Sequence, residues 1–248
     1  MTASIITNRH KDNEMAFSCR VRNFLESRNV VIVPEWEQAD FWIVLGGDGT
    51  MLGAAHKAAL LGVPLLGINL GNLGFLTDAE KDDGLRALED VLEGRYEVEP
   101  RLMLSYAGGL ALNDVVVASD GRLSTFSVYV DGMHMDDIRA DGIIVATPTG
   151  STAYNLSAGG PILAPYGEMI AITAICPHSL SVRPWVVPAT DEIRIIPTHD
   201  ANLLIDGEKC GIISASADIA ISRAEVNAKI IKTSATHFYD VLRRKKIV

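Results

Sequence analysis

Residues 46–50 combine three glycines with a carboxylate, in the order Gly-Gly-Asp-Gly-Thr. They follow the apolar run 41–45 (FWIVL) and precede a helix-compatible stretch. Glycines allow a tight turn whose backbone N–H groups can approach an anion closely. A carboxylate is electrostatically unsuited to binding phosphate, so Asp48 is predicted to take up a proton or to hold a metal ion. The alternative is that Asp48 only caps the helix that follows it.

A second polar segment, residues 139–161, is dense in threonine, serine, glycine and tyrosine (RADGIIVATPTGSTAYNLSAGGP). Hydroxyl groups are costly to bury unless each has a hydrogen-bond partner. Hydroxyls together with turn amides suit a ligand that is itself rich in hydroxyl and phosphate groups. The alternative is a polar surface loop, although the small residues are unusually dense for one.

Two shorter segments are less specific. Residues 71–76 (GNLGFL) are glycine-rich and follow an apolar run, and Asn113–Asp114 lies between two β-like runs. Either could be an ordinary turn. Other chemistries lack their residues, because the sequence contains no GxxxxGK[ST] phosphate loop, no GxSxG elbow and no HxxxH zinc spacing.

The chain has two halves with different periodicities. Up to residue 100, apolar runs alternate with helix-like stretches, which predicts an α/β domain with a parallel sheet. Beyond it, short apolar runs separated by Gly-Gly and Asp-Gly turns predict a β-rich, sandwich-like domain. We therefore expect an α/β domain over residues 1–100 that carries the GGDGT turn, and a β-rich dinucleotide-binding domain over residues 101–235. The tail, residues 236–248, is helix-compatible and is expected to pack back on the first domain.

The composition narrows the class of protein. The chain has 248 residues, with 22 basic and 31 acidic side chains and a net charge of −9. This balance argues against nonspecific binding to nucleic acid or to anionic membranes. No apolar run approaches the length of a membrane span, and the N-terminus becomes polar too early for a signal peptide. Three cysteines without ligand spacing are expected to be reduced core residues. The sequence predicts a soluble cytoplasmic protein.

Taken together, the motifs resemble those of the NAD kinases. The matching segments occur in the family's order, and they are GGDGT at 46–50, GNLGFL at 71–76, the N-E/D pair at 113–114, DG at 141–142, TPTGSTAY at 147–154, SxxGGP at 157–161 and PHSLSVRP at 177–184. GGDGT alone is weak evidence because lipid kinases share it. The TPTGSTAY segment is highly specific.

The resemblance implies transfer of the ATP γ-phosphate to the 2′-hydroxyl of the adenosine ribose of NAD, giving NADP. Asp48 would accept the hydroxyl proton, and Mg²⁺ would arrive with ATP, without assigned protein ligands. The resemblance also implies a dinucleotide cleft between the two domains and a homo-oligomer, either a dimer or a tetramer. Whether polyphosphate replaces ATP stays open. The residues that the resemblance assigns to nucleotide binding are Asp48, Gly49, Phe75, Asn113, Asp114, Arg122, Arg139, Asp141, Thr152, Ala153, Tyr154, Asn155, Leu156, Ser157 and, in a late turn at 206–208, Glu208.

Two alternatives share part of this pattern. A lipid kinase of the diacylglycerol or sphingosine type would share the GGDGT turn, but it would need an apolar acceptor groove, against which the hydroxyl-rich segment argues. A non-catalytic dinucleotide-binding protein would keep the fold without turnover. An intact Asp48 makes that alternative less favourable.

Overall fold

A computed structural model of the protein describes residues 1–71, 74–233 and 238–247. The chain divides into two compact units. Unit 1 comprises Met1–Pro100 with Ala228–Val248, and unit 2 comprises Arg101–Asn227.

The secondary structure is dominated by strands. The strands are β1 (Thr2–Thr7), β2 (Val31–Val33), β3 (Phe41–Gly46), β4 (Leu65–Asn69), β5 (Ala79–Glu80), β6 (Glu97–Tyr106), β7 (Gly109–Ala111), β8 (Asp114–Ser119), β9 (Ser124–Val130), β10 (Met133–Ala140), β11 (Gly142–Ala146), β12 (Met169–Ile175), β13 (Trp185–Pro188), β14 (Ile193–Pro197), β15 (Ala201–Ile205), β16 (Glu208–Ile213) and β17 (Ile219–Lys232). The α-helices are α1 (Ala16–Ser27), α2 (Asp48–Leu61), α3 (Gly84–Leu92), α4 (Tyr154–Ser157) and α5 (Phe238–Arg244).

Unit 1 contains the predicted parallel sheet, in which β2, β1, β3 and β4 are neighbours in that order. Every residue of β3 is buried, as expected of a strand covered on both faces. Its apolar side chains pack with those of β1, β4 and α1 in one core. Gly46 pairs with Asn69, so the carboxyl ends of β3 and β4 meet at one edge of the sheet. The sequence prediction of a parallel α/β sheet is therefore confirmed.

Unit 2 is built from antiparallel strands, which confirms the β-rich prediction. One sheet has the order β13, β12, β11, β8, β15, β16, and a second contains β10, β9 and β14, with β17 beside β14. Phe126 and Val128 of β9 share one apolar core with Val115 and Val117 of β8, so the two sheets face each other. Along β9 buried and half-buried residues alternate, with the period of a strand whose one face is covered.

Several strands escaped the sequence prediction, namely β5, β10, β12, β13, β16 and β17. Strands β10 and β16 lie at sheet edges and are mostly exposed, so their sequences show no apolar alternation. In β17 the exposed Glu225 and Lys229 interrupt the apolar run. The expectation of core cysteines is wrong, because Cys19, Cys176 and Cys210 are all exposed.

Within the part of the chain that is described, helices are too short or too polar to cross a membrane.

Candidate functional site

The Asp48 side chain fastens the GNLGFL segment rather than capping its own helix. Helix α2 begins at Asp48, and Gly47 occupies the N-cap position. One carboxylate oxygen of Asp48 accepts a hydrogen bond from the Phe75 backbone N–H at 2.9 Å, and the other accepts one from Leu76 N–H at 2.9 Å. The helix-cap alternative is therefore wrong. A carboxylate offers about four acceptor positions, so further acceptor capacity remains for a ligand.

Close packing of the backbone explains a glycine in this segment. A Cβ built on Gly74 would lie 2.0 Å from Oδ1 of Asp48, a distance that no side chain tolerates. The first residue of the segment is also held in place, because the Gly71 N–H donates a hydrogen bond to the Asn69 side-chain oxygen at 2.8 Å. Asn72 and Leu73, which belong to the same motif, lie outside the described residues.

A cation that the sequence prediction missed lies beside this turn. The Lys11 ammonium is 3.0 Å from the point where a Cβ on Gly47 would stand, and 4.0 Å from the equivalent point on Gly71. Lys11 is exposed, and within residues 1–71, 74–233 and 238–247 its ammonium group forms neither a hydrogen bond nor an ion pair. The available sequence signal was a basic residue shortly after β1, whose carboxyl end lies beside that of β3.

The C-terminal helix contacts the same segment from within unit 1. The Phe238 ring lies 5.9 Å from the Phe75 ring, centroid to centroid. The Lys245 ammonium lies 5.2 Å from the Phe75 ring centroid, within the range of a cation–π interaction. Phe75 is half-buried. Helix α5 therefore supports the side of Phe75 that faces it.

In unit 2, Asn113 and Asp114 stand at the start of β8, where a third residue fixes their backbone. Asp206 accepts hydrogen bonds from the backbone N–H groups of Asn113 at 2.7 Å and Asp114 at 3.0 Å. Asp114 is only 3% exposed, and among the described residues nothing donates a hydrogen bond to its carboxyl group. Burial, and then the charge of Asp206, raise the pKa of the Asp114 carboxyl to about 7.

The TPTG segment is bound to the same place. Thr147 N–H donates to the Asn113 carbonyl at 2.9 Å, and the Thr147 hydroxyl donates to the Leu112 carbonyl at 2.6 Å. A Cβ on Gly150 would lie 2.0 Å from the Asn113 carbonyl oxygen, so only glycine fits there. The Thr149 hydroxyl is buried and has no partner among the described residues. Thr149 was not among the predicted contacts, although an unpaired hydroxyl in this position suits a ligand.

The residues that follow fall into two groups. Tyr154 is 45% exposed and Ser157 is also exposed, whereas Thr152, Ala153 and Leu156 are half-buried. Asn155 is fully buried, and its amide donates to the carbonyls of Ser151 and Pro161 while accepting from the Thr173 hydroxyl. Asn155 therefore holds the segment together, and Tyr154 presents its ring to the surface.

Three predicted contacts, Arg122, Arg139 and Asp141, lie away from the Asp114 end of β8: Asp141 immediately precedes β11, Arg139 is in β10 of the second sheet, and Arg122 follows β8. In the register of β8 and β11, Ala146 pairs with Asp114 and Gly142 pairs with Ala118. At about 3.4 Å per residue, Asp141 is therefore about 17 Å along β11 from the Asp114 end. Arg122 and Arg139 are exposed and close to Asp141 in sequence. Glu208 is exposed but pairs with Ile205, so it lies at the Asp114 end.

The raised pKa of Asp114 predicts a pH-dependent stability. Because the folded-state pKa, about 7, exceeds the ordinary 3.8, the protonated carboxyl stabilises the fold below pH 4, and this contribution is lost as the pH rises through 7. Asparagine cannot ionise, so Asp114→Asn should abolish this pH-dependent loss of unfolding free energy. The loss is worth about 4 kcal/mol, for about three pH units at ~1.4 kcal/mol each. Urea unfolding at several pH values measures it, with the exposed Asp131→Asn as control. Parallel pH curves for wild type and Asp114→Asn would contradict the prediction.

Among the described residues, no group of three histidine, cysteine or acidic side chains is arranged to hold a metal ion. The Asp206 carboxylate near Asp114 accepts hydrogen bonds from backbone amides.

Comparison with known proteins agrees with this arrangement. The family model described as the ATP-NAD kinase N-terminal domain matches residues 2–96, and the ATP-NAD kinase C-terminal domain matches residues 112–233. The chain belongs to the NAD kinase family. The resemblance carried by the motifs is confirmed, and the chain is an NAD kinase, an enzyme that phosphorylates NAD to NADP. None of the comparisons favours a lipid kinase or a non-catalytic protein.

Individual NAD kinases are similar over most of their length. The chain is 38% identical to the NAD kinase of Ruminiclostridium cellulolyticum over 97% of this chain and 96% of that protein. It is 43% identical to the NAD kinase of Azoarcus sp. over 84% of this chain and 75% of that protein. An NAD kinase from Archaeoglobus fulgidus in complex with ATP superposes with a TM-score of 0.86 at 29% identity, covering both chains completely. Yeast NADH kinase complexed with NADH shares the fold, with a TM-score of 0.88 at 22% identity over 99% of this chain and 87% of that one.

Proposed function

We propose that Asp48 is the general base of this NAD kinase. The 2′-hydroxyl of the adenosine ribose would give its proton to the Asp48 carboxylate as its oxygen bonds to the γ-phosphorus and the bond from phosphorus to ADP breaks. The observation that carries the proposal is the pair of backbone hydrogen bonds from Phe75 and Leu76, which hold the carboxylate in one orientation and leave acceptor positions free. A hydroxyl group that keeps its proton is a poor nucleophile. The reaction therefore requires a proton acceptor held in a fixed position, which Asp48 supplies.

The phosphate donor is proposed to be ATP carrying Mg²⁺. Mg²⁺ would bridge phosphate oxygens as part of the substrate and would need few protein ligands. The unpaired Lys11 ammonium and the first N–H groups of α2 supply the positive potential that a triphosphate requires. Gly49, exposed in the first turn of α2, would allow the phosphates to approach the backbone.

Lys11→Ala is expected to raise the KM for ATP about tenfold, the equivalent of one charge-assisted contact, with a smaller change in the KM for NAD. The matched control is Lys57→Ala, which removes an exposed lysine from the middle of α2. Steady-state kinetics with each substrate varied in turn measures both constants. Equal KM values for ATP in the two variants would exclude Lys11 from the phosphate site.

NAD itself is proposed to bind through residues of the Asp114 end of unit 2. The support is the buried carboxyl of Asp114 without an internal hydrogen-bond donor, because a ribose hydroxyl can supply the missing donor. The contacts proposed in unit 2 are Asn113, Asp114, Thr152, Ala153, Tyr154, Leu156, Ser157 and Glu208. The nucleotide contacts proposed in unit 1 are Asp48, Gly49 and Phe75. Asn155 belongs to the same segment and would act by holding it in place.

Tyr154→Ala is expected to raise the KM for NAD several-fold and to change kcat less. An exposed aromatic ring can pack on the ligand equally in the ground state and the transition state, and such uniform contacts affect KM. Kinetics and the melting temperature are measured on the same preparation, with Tyr166→Ala, another exposed tyrosine of unit 2, as control. An unchanged KM together with a lowered melting temperature would make Tyr154 a purely structural residue.

We also propose that the enzyme is a cytoplasmic homo-oligomer, a dimer or tetramer. Asp141 lies about 17 Å along the sheet from Asp114, by the rise of about 3.4 Å per residue, and Arg122 and Arg139 are close to Asp141 in sequence. If they contact NAD, a second copy of the chain offers the direct way to bring them to it. Sedimentation of wild type and Asp141→Ala, together with the KM for NAD, tests this part of the proposal.

The direct test of the reaction is a coupled assay for NADP formed from NAD and ATP, run beside adenosine, diacylglycerol and sphingosine as acceptors. NADP formation with little phosphorylation of the other acceptors is the expected result. Phosphorylation of adenosine with comparable kcat/KM would contradict binding of the whole dinucleotide, and a lipid product would restore the lipid-kinase alternative.

A further inference from the structure

The carboxylate of Asp206 binds the backbone that carries Asn113 and Asp114. It accepts hydrogen bonds from three successive backbone N–H groups, those of Leu112 at 2.9 Å, Asn113 at 2.7 Å and Asp114 at 3.0 Å. In return, Asp206 N–H donates to the Asp114 carbonyl at 3.0 Å. A carboxylate that gathers three backbone N–H groups fixes their orientation strongly, because each hydrogen bond is charge-assisted.

The turn that contains Asp206 does not by itself require an aspartate. Asp206 and Gly207 connect β15 to β16 with positive φ values of 51° and 86°. Asp131 and Gly132 connect β9 to β10 in the same way, with φ values of 50° and 77°. Asparagine suits this two-residue turn as well as aspartate does. Yet, among the residues that the structure describes, the Asp131 carboxylate makes no hydrogen bond or ion pair. The three backbone contacts therefore belong to Asp206 and not to the turn type.

We propose that Asp206 is a positioning residue for NAD binding, which holds the backbone of residues 112–114 so that the side chains of Asn113 and Asp114 are presented to the dinucleotide. This inference rests on the proposed role of Asn113 and Asp114 in binding NAD. It differs from the predicted role of the 206–208 turn, in which Glu208 contacts the ligand. In this proposal Asp206 contacts the protein backbone, and it affects NAD binding through the position of Asp114.

The charge of Asp206 affects the pKa of Asp114, an effect that a residue acting through packing alone would not have. The charge of Asp206 raises the pKa of Asp114 beyond the effect of burial. Ala146 of β11 and Val115 of β8 lie beside this end of the sheet and carry no charge. The titratable groups near Asp206 are Tyr106, Cys210 and Glu208, which is exposed on β16. Removing the Asp206 charge should therefore lower the pKa of Asp114, while burial keeps it above its ordinary value.

The experiment compares Asp206→Asn with Asp131→Asn, which makes the same change in the same kind of turn. Asp206→Asn keeps one acceptor oxygen, so it loses the acceptor for one or two of the three N–H groups, and it loses the charge. It is expected to weaken NAD affinity about tenfold, measured by calorimetry without ATP, since one or two such hydrogen bonds are at stake. Because Asp114 ionises within the proposed NAD site, NAD affinity should change with pH, and the pH of this change should move down in Asp206→Asn. Asp131→Asn should leave both unchanged.

A third variant separates geometry from charge. Asp206→Glu keeps the charge but moves it by one methylene group, so it should weaken NAD affinity without lowering the transition pH. The Asp114 carboxyl titration, followed by ¹³C NMR in the ligand-free protein, reports the pKa in every variant that folds. If Asp206→Asn fails to fold, Asp206→Glu and the wild-type titration still decide the question.

Either of two results overturns the inference: an NAD affinity and Asp114 titration in Asp206→Asn equal to those of Asp131→Asn, or a lowered melting temperature with neither readout changed. A wild-type protein that forms no NADP would instead contradict the proposed function. The ligand-free titration distinguishes the two failures because it does not depend on turnover.

Discussion

Asp48→Asn is expected to slow NADP formation by about 10²–10⁴-fold, the usual contribution of a general base. The asparagine side chain keeps the size of aspartate but cannot accept the ribose proton. It also has only one acceptor oxygen, so its NH₂ group would face either the Phe75 or the Leu76 N–H. The structure thus predicts a second effect, a disturbed GNLGFL segment, which the sequence alone does not indicate.

Turnover and NAD affinity measured on one preparation separate these two effects. Lost turnover with NAD binding retained supports the general base. Loss of both would make Asp48 a ligand contact or a support of the segment, and Asp114 would become the first candidate base. Asp40→Asn is the matched control, because Asp40 precedes β3 as Asp48 follows it, and its carboxylate also accepts a backbone hydrogen bond, from Thr2. Turnover of Asp48→Asn within a few-fold of that control would refute the catalytic role.

Gly74→Ala is expected to lower turnover by about 10²-fold, because a displacement of a catalytic group by about 1 Å can cost that much. The new Cβ would stand 2.0 Å from Oδ1 and 2.9 Å from Oδ2 of Asp48. The short aspartate side chain cannot move away without breaking its hydrogen bonds to Phe75 and Leu76. The variant therefore displaces the carboxylate without changing its chemistry.

Gly53→Ala is the control for Gly74→Ala. Its Cβ would meet nothing within 4 Å, and it lies inside α2, where alanine is the better helix former by about 1 kcal/mol. It should retain turnover and slightly raise the melting temperature. If Gly74→Ala turns over at a rate similar to Gly53→Ala, the placement of the Asp48 carboxylate does not limit the reaction.

The strands with clear apolar patterns were predictable from sequence because their signal is local. The run at 41–45 is apolar throughout and the stretch at 124–130 alternates, and both form strands of the expected kind. Strand β10 could not be predicted this way. It is an edge strand in which only Ile138 and Ala140 are buried, so its pairing with β9 leaves little trace in hydrophobicity.

In the candidate site, too, the local motifs were predictable from sequence and the long-range contacts were not. The motifs identified residue types and their order along the chain, including Asp48, Asn113–Asp114 and the TPTGSTAY segment. They could do so because turns and hydroxyl-rich loops are specified by short segments of sequence. They did not indicate that Asp48 accepts hydrogen bonds from the backbone of Phe75 and Leu76, because these partners are 27 and 28 residues away. They also left Lys11 without a role, because its neighbour Gly47 follows a different strand.

By itself, the sequence determined that this is an NAD kinase with a parallel α/β part and a β-rich part, since motif identity and periodicity are local properties. Only the tertiary structure decided that Asp206 holds residues 112–114, over 92 to 94 positions of sequence, and that Asp141 stands at the far end of β11 from Asp114. Both facts depend on the register in which β8 pairs with β11 and β15. Register is fixed by which side chains fill a shared core, and that is a property of the whole fold rather than of any one segment.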